Sequence, residues 1–225
     1  MKRKQPICYI VGAAPCDEVG FVPGEEDYVI AADGGLRYLE AAGIRADMVV
    51  GDFDTLGYEP DHDNVIPLQR EKDWTDTFVA MEKGVELGYQ IFVFYGCLGG
   101  KIEHTMANLQ HLAWLSQRGL QGWMTDGRCW LTAVSGCSED DRGSKSDGSS
   151  ACGRLVLPAR LAGMVSVFCH SDRAEGVTIQ GLKYTLQDAE LTNGFPLGVS
   201  NEFIGEKSEI IIGNGTAIVT YSLNY

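Results

Sequence analysis

The stretch Met48-Val49-Val50-Gly51-Asp52-Phe53-Asp54-Thr55 decides how this chain is read. Three apolar residues run into a glycine, and two carboxylates, Asp52 and Asp54, follow at once. A short, wholly apolar run is what a strand buried on both faces of a parallel sheet requires. Carboxylates two residues apart at the end of such a strand are expected to point the same way. They then repel each other unless a cation sits between them.

Outward from this stretch the same grammar repeats. Ile7–Val11, Tyr28–Ala32 and Ile91–Tyr95 are further continuous apolar runs, each expected to be a buried strand. Helical patterns fall between them, over 36–42, 73–87 and 104–118. Each ends at a glycine, Gly43, Gly88 or Gly119, the residue that most readily takes the left-handed stop conformation. Strands alternating with helices imply an open α/β sheet, and such sheets bind ligands beyond the C-terminal ends of their strands. After Asp126 the pattern changes to short β-rich runs over 129–134, 154–157, 165–169, 177–180, 209–212 and 217–221, separated by Gly, Asn, Asp and Pro. That spacing predicts an all-β sandwich or barrel. The expected organisation is an α/β domain over 1–127 and a β-domain over 128–225, with an exposed polar loop at about 137–152.

Composition narrows the function. With 225 residues, 44% of them hydrophobic and 22% charged, the chain has the make-up of a soluble globular protein. A net charge of −13 argues against a nucleic-acid surface. No apolar run is long enough to cross a membrane. Met1-Lys2-Arg3-Lys4 is basic, but the apolar run after it breaks between Gly12 and Pro15, too soon for a secretory signal. Seven scattered cysteines without a CxxC pair suggest reduced thiols in the cytoplasm and exclude the usual zinc spacings.

Three other stretches carry candidate chemistry. Asp33-Gly34-Gly35 follows a strand and opens a helix; it reads either as a turn with a capping aspartate or as a place where a phosphate meets backbone amides. Lys72-Asp73-Trp74-Thr75-Asp76 begins the next helix, and at about 100° per residue Trp74, Phe78, Met81 and Val85 share one face, expected to be core. Asp73 and Asp76 lie on the other side, where at least one is expected to cap the helix. Gly96-Cys97-Leu98-Gly99-Gly100-Lys101-Ile102-Glu103-His104 joins a strand to a helix with the glycines and the lysine of a phosphate cradle, though not with P-loop spacing. His104, Asn108 and His111 fall on one face of that helix. Ser200-Asn201 in the β-rich half is by its residues consistent with a tight turn between strands.

In this order these stretches resemble the thiamine pyrophosphokinase family. Its members carry a DGG turn, a GDxDS motif, a KDxTD segment, a GGRxDH motif followed by Asn, and a late SN pair. Here the matching residues are Asp33-Gly34-Gly35, Gly51 to Thr55, Lys72 to Asp76, Gly99 to His104 with Asn108, and Ser200-Asn201; Gly181-Leu182-Lys183-Tyr184 resembles the family's glycine-led β-domain motif. Thr55 stands for Ser, Lys101 for Arg and Glu103 for Asp.

The resemblance implies transfer of the pyrophosphoryl group of ATP, with Mg2+, to the hydroxyl of thiamine, in a homodimer whose active sites draw on both subunits. It implies Mg2+ on Asp52, Asp54 and Asp76 with Asp33 close by, and Lys101 offsetting phosphate charge. Gly34, Gly35, Lys72, Asp73, Gly99, Gly100, Glu103, His104 and Asn108 are implied on the nucleotide, and Ser200 and Asn201 on thiamine. Two competing expectations remain at this point: a related transferase acting on a hydroxymethyl pterin, and a non-catalytic nucleotide or thiamine sensor.

Overall fold

A computed structural model describes residues 5–16, 19–69, 71, 73–136 and 153–222. Lys72 and the polar loop expected at 137–152 lie outside the described residues. Two compact units emerge, one of Met1–His111 with Leu120–Gly127 and one of Leu112–Gly119 with Arg128–Tyr225.

The first unit holds β1 (Ile7–Val11), β2 (Tyr28–Ala32), α1 (Gly35–Ala42), β3 (Met48–Gly51), β4 (Val65–Pro67), α2 (Asp76–Glu86), β5 (Ile91–Tyr95), the start of α3 (Ile102–Gln117) and β6 (Gln121–Thr125). Its strands lie in the order β6-β5-β1-β2-β3-β4, all parallel. Strands β1, β2, β3 and β5 are buried on both faces, which is why they read as unbroken apolar runs. The chain proceeds from β1 to β4 on one side and then crosses to β5 on the other. The sheet therefore has its switch point between β1 and β5, where their following loops part.

Register sets what those loops bring together. Ala32 pairs with Val50, so Asp33 emerges beside Gly51; Val11 pairs with Tyr95, so Gly12 emerges beside Gly96. Gly12 N–H donates to the Tyr95 carbonyl at 2.8 Å, and Ala14 N–H to the Gly96 carbonyl at 2.8 Å. A Cβ on Gly12 would stand 2.6 Å from the Gly96 carbonyl oxygen, so a side chain there would force the two loops apart.

The second unit continues with β7 (Cys129–Ser135), β8 (Arg154–Leu157), β9 (Met164–Cys169), β10 (Arg173–Gln180), β11 (Leu186–Thr192), β12 (Gly198–Glu202), β13 (Ser208–Ile211) and β14 (Thr216–Ser222). They form two four-stranded layers, β12-β9-β14-β7 and β11-β10-β13-β8, antiparallel throughout. Val165, Val167, Ala217 and Val219 of one layer and Val177, Ile179 and Ile210 of the other are buried. This is a β-sandwich.

The β-rich runs read from sequence are all strands, some a residue or more longer. Four strands escaped that reading: β4, β6, β11 and β12. β4 is a three-residue edge strand ending at Pro67, and β11 and β12 are largely exposed edge strands without the apolar alternation that marks a half-buried strand.

One helix boundary is corrected. Helix α2 begins at Asp76, not Asp73, because Thr75 caps it: the Thr75 Oγ1 accepts from the Phe78 N–H at 3.1 Å. Neither aspartate is the cap. Trp74 lies before the helix and is 59% exposed, so it does not share the buried face with Phe78 and Met81. Val85 is half-buried rather than core.

Candidate active site

Four chain segments of the first unit supply its chemistry: the ends of β2, β3 and β5 and the start of α2. Asp33, the first residue past β2, takes a left-handed conformation with φ 48° and donates its N–H to the Val50 carbonyl at 2.8 Å. Aspartate is among the few side chains that tolerate that region. It does not cap α1. The cap position is Gly34, with no side-chain hydrogen bond, so the capping expectation for Asp33 is set aside. Instead Asp33 is only 7% exposed, and its Oδ1 has no hydrogen-bond partner among the described residues.

The glycines around it leave the room this needs. A Cβ on Gly51 would sit 3.0 Å from the Asp33 Cα, and one on Gly34 would sit 2.9 Å from the Thr55 Cγ2. A Cβ on Gly35 would collide with the Val11 carbonyl oxygen, so glycine there lets α1 start against β1. The two glycines after Asp33 are thus packing residues as well as a possible anion contact.

Among the described residues, one grouping has the reach to hold a metal ion: Asp33, Asp52 and Asp76 place carboxylate oxygens within 4.8 Å of one another. Asp54 is outside it. Phe53, with a φ of 61°, interrupts the extended backbone on which the expected alignment of Asp52 and Asp54 depends. Asp54 is exposed; its N–H approaches the Asp52 Oδ1 at 3.3 Å, and its carboxylate accepts from the Thr55 hydroxyl at 3.1 Å. The trio fits a hard divalent cation. It offers only carboxylate oxygens, and the buried Asp33 Oδ1, without a hydrogen-bond partner among the described residues, has a desolvation cost that a cation would relieve.

The loop after β5 is more structural than a simple phosphate cradle. Gly99 N–H donates to Thr105 Oγ1 at 3.0 Å, so that amide is already engaged. Gly100 has φ 65°, and a Cβ on it would meet Pro15 at 3.1 Å. Asn108 is buried and donates to the Cys97 carbonyl at 2.8 Å, pinning the loop to α3. Lys101, Glu103 and His104 are exposed, as is Asp73. Thr75 and Thr105 are the positioning residues that sequence reasoning missed; a hydroxyl just before or within a helical first turn was the available signal.

Burial sets the titration of two neighbours. It pushes the Cys97 thiol up to about 12, so Cys97 stays protonated, donating to the Tyr95 carbonyl at 3.3 Å. It pushes His111 down to about 4, so this imidazole is neutral near pH 7. The His111 ring packs on Phe78 with centroids 5.3 Å apart, a supporting position and not a catalytic one.

In the second unit Ser200 and Asn201 lie within β12, not in a turn. A register irregularity between Gly198 and Asn201 leaves Ser200 exposed at φ 61°. Asn201 is 6% exposed, and its amide is committed. Oδ1 accepts from the N–H groups of Tyr184 and Glu202, each at 2.9 Å, while Nδ2 donates to the Tyr184 carbonyl at 2.6 Å.

Comparison with known proteins identifies the family. Residues 23–124 match the family profile described as thiamin pyrophosphokinase, catalytic domain, and residues 155–218 that of thiamin pyrophosphokinase, vitamin B1 binding domain. The chain belongs to the thiamin pyrophosphokinase family. That family's known reaction is pyrophosphoryl transfer from ATP. The thiamine pyrophosphokinase of Bacillus subtilis (strain 168) is 24% identical over 199 residues, 86% of each chain. The crystal structure of a Bacillus subtilis thiamine pyrophosphokinase has the same fold, with a TM-score of 0.81 at 20% identity over 98% of this chain and 100% of that one. An Enterococcus faecalis thiamin pyrophosphokinase family protein superposes with a TM-score of 0.76 at 25% identity, covering 98% and 100%.

Proposed function

We propose that this protein transfers the pyrophosphoryl group of ATP to the hydroxyl of thiamine, releasing AMP, and that Asp33, Asp52 and Asp76 hold the Mg2+ it uses. The observation that carries this reading is the convergence of three carboxylates from two strand ends and a helix start, one of them buried with an oxygen that has no hydrogen-bond partner among the described residues. Family membership supplies the reaction class; the trio supplies the residues.

A divalent cation there would supply positive charge against the phosphate oxygens of ATP during transfer. The chain's own residues do the remaining work by position and charge. Helix α1 starts without a side-chain cap; the Leu36 and Arg37 amides already donate to the Asp33 and Gly34 carbonyls at 3.2 Å, so the amides offered to an anionic oxygen are those of Gly34 and Gly35. Lys101, exposed where α3 begins, offsets further charge. Asp54 acts outside the trio, on its rim. The proposed division of labour gives ATP and Mg2+ to residues 1–127 and thiamine to residues 128–225, and it is supported by the catalytic-domain match over 23–124 and the vitamin B1 binding match over 155–218. Within the latter Ser200 is the contact residue, whereas Asn201 holds the Tyr184 backbone in place.

The remaining features belong to the same proposal. A homodimer is supported by the exposed apolar side chains Phe195, Leu197 and Val199. A reducing, cytoplasmic setting is supported by the buried thiols of Cys8 and Cys97; no helix among the described residues is long and apolar enough to cross a membrane.

The test is to incubate purified protein with ATP, Mg2+ and thiamine, and to follow AMP and thiamine diphosphate together. Both should appear in equal amounts and only with thiamine present, not with a hydroxymethyl pterin in its place. Formation of ADP instead, or thiamine binding without AMP, would overturn the reading.

A further inference from the structure

Helix α1 is tied at two places to the turn that follows β3. Arg37, exposed on its first turn, donates from Nη2 to the carbonyl of Leu56. One turn later Glu40 accepts from the Tyr58 hydroxyl at 3.1 Å. The two segments also touch, because the Thr55 methyl stands 2.9 Å from where a Cβ on Gly34 would lie. Leu56 is itself buried, so the Arg37 bond lies over an apolar anchor.

What the two segments carry gives these ties a use. Asp33 is fixed to both the sheet and α1: its N–H donates to the Val50 carbonyl at 2.8 Å, and its carbonyl accepts from the Leu36 N–H at 3.2 Å. Asp52 stands past the end of β3, on a turn closed by the Gly57 N–H donating to the Phe53 carbonyl at 3.0 Å. Through that bond a shift at Leu56 reaches Phe53, next to Asp52. Phe53 is left-handed at φ 61°, a region costly for a bulky side chain. The carboxylates of Asp33, Asp52 and Asp76, within 4.8 Å of one another, add mutual repulsion. Repulsion pushes such a turn outward, and a tie to the fixed helix resists it.

Resting on the cation site proposed above, we infer that Arg37 is a positioning residue: its bond to the Leu56 carbonyl holds the turn after β3 against α1, keeping Asp52 beside Asp33 for a divalent cation. Its charge alone would act the other way. A guanidinium in the neighbourhood repels an incoming cation, so losing the charge by itself would tighten cation binding. Losing the tie lets Asp52 drift from Asp33 and weakens that binding. The two roles therefore differ in sign.

The experiment compares wild type, Arg37→Gln and Arg37→Lys, all without ATP. Mg2+ affinity is read from the rise of the melting temperature with Mg2+ concentration. The mobility of the turn is read from hydrogen exchange of peptides covering 52–58 in EDTA. Glutamine is too short to reach the Leu56 carbonyl, so Arg37→Gln should weaken Mg2+ binding by about 3- to 10-fold, the range of one net hydrogen bond. Exchange should quicken in that segment and not in the strands. Lysine keeps a cationic donor on a stem one bond shorter, so Arg37→Lys should fall between the other two. All three proteins should melt alike in EDTA, since the tie is at the surface. Mg2+ binding in Arg37→Gln as tight as in wild type or tighter, or unchanged exchange over 52–58, would overturn the inference while leaving the reaction standing. A wild type that does not respond to Mg2+ would instead overturn the cation site, and exchange in EDTA would still decide whether Arg37 holds the turn.

Discussion

Replacing Asp33 by asparagine should make the metal-free protein more stable and the enzyme nearly inactive. The carboxylate oxygens of Asp33, Asp52 and Asp76 lie within 4.8 Å of one another. At that separation two unit charges repel by about 3.5 kcal/mol at an effective dielectric of 20 and by about 0.9 kcal/mol in bulk water. Asp52 and Asp76 are half-buried, so the value for each pair lies between those limits. Asparagine keeps the shape of Asp33 and tolerates its left-handed φ of 48°, so the change removes charge with little conformational cost. Relief of about 1–3 kcal/mol corresponds to a rise of roughly 2–10 °C in Tm for a chain of this size. Melting curves in EDTA and in Mg2+ should show the crossover: wild type gains stability from Mg2+, whereas Asp33→Asn starts higher in EDTA and gains little. The rate of AMP release should drop by about 10²-fold or more, as when a key electrostatic contact is lost. A variant that melts no higher than wild type in EDTA and still responds fully to Mg2+ would refute the shared-cation argument.

The remaining predictions concern the edges of the site. Asp52→Asn should cost about 10²-fold or more in turnover, while Asp54→Asn costs less than about tenfold, because only the former removes a member of the trio; equal losses would reinstate Asp54 as a ligand. Thr75→Ala should lower stability by about 1 kcal/mol in urea titrations by uncapping α2, and Thr75→Ser should restore most of it. His111 ordinarily titrates near 6.5 but is held at about 4 in the fold, so the unfolded chain takes up its proton first as pH falls. Its contribution is intact above pH 6.5 and declines by about 3 kcal/mol between there and pH 4. The difference in urea stability between wild type and His111→Phe should change across that interval and be flat from pH 7 to 8; a flat difference throughout would show that the ring is not neutral by burial.

Much of this molecule was legible in the chain. Strands β1, β2, β3 and β5 were visible because burial on both faces demands unbroken apolar runs, and glycine stops bounded the helices between them. The polar edge strands β11 and β12 carried no such demand, so nothing in their composition separated them from loops. Trp74 misled for a related reason: a 3.6-residue period places it on the face of Phe78, but Thr75 starts the helix one residue too late for that period to apply.

The sequence by itself determined which residue types stand at each strand end, because the motif order Asp33, Asp52, Asp76, Gly99-Gly100 and Ser200-Asn201 is a property of the chain. Which carboxylates meet was decided only by tertiary structure. Register sets Asp33 beside Gly51, and a left-handed Phe53 breaks the extended backbone between Asp52 and Asp54, of which Asp52 alone joins Asp33 and Asp76 in the carboxylate grouping. Spacing along the chain states how far apart two side chains can be; backbone dihedrals and strand pairing decide whether they face the same point.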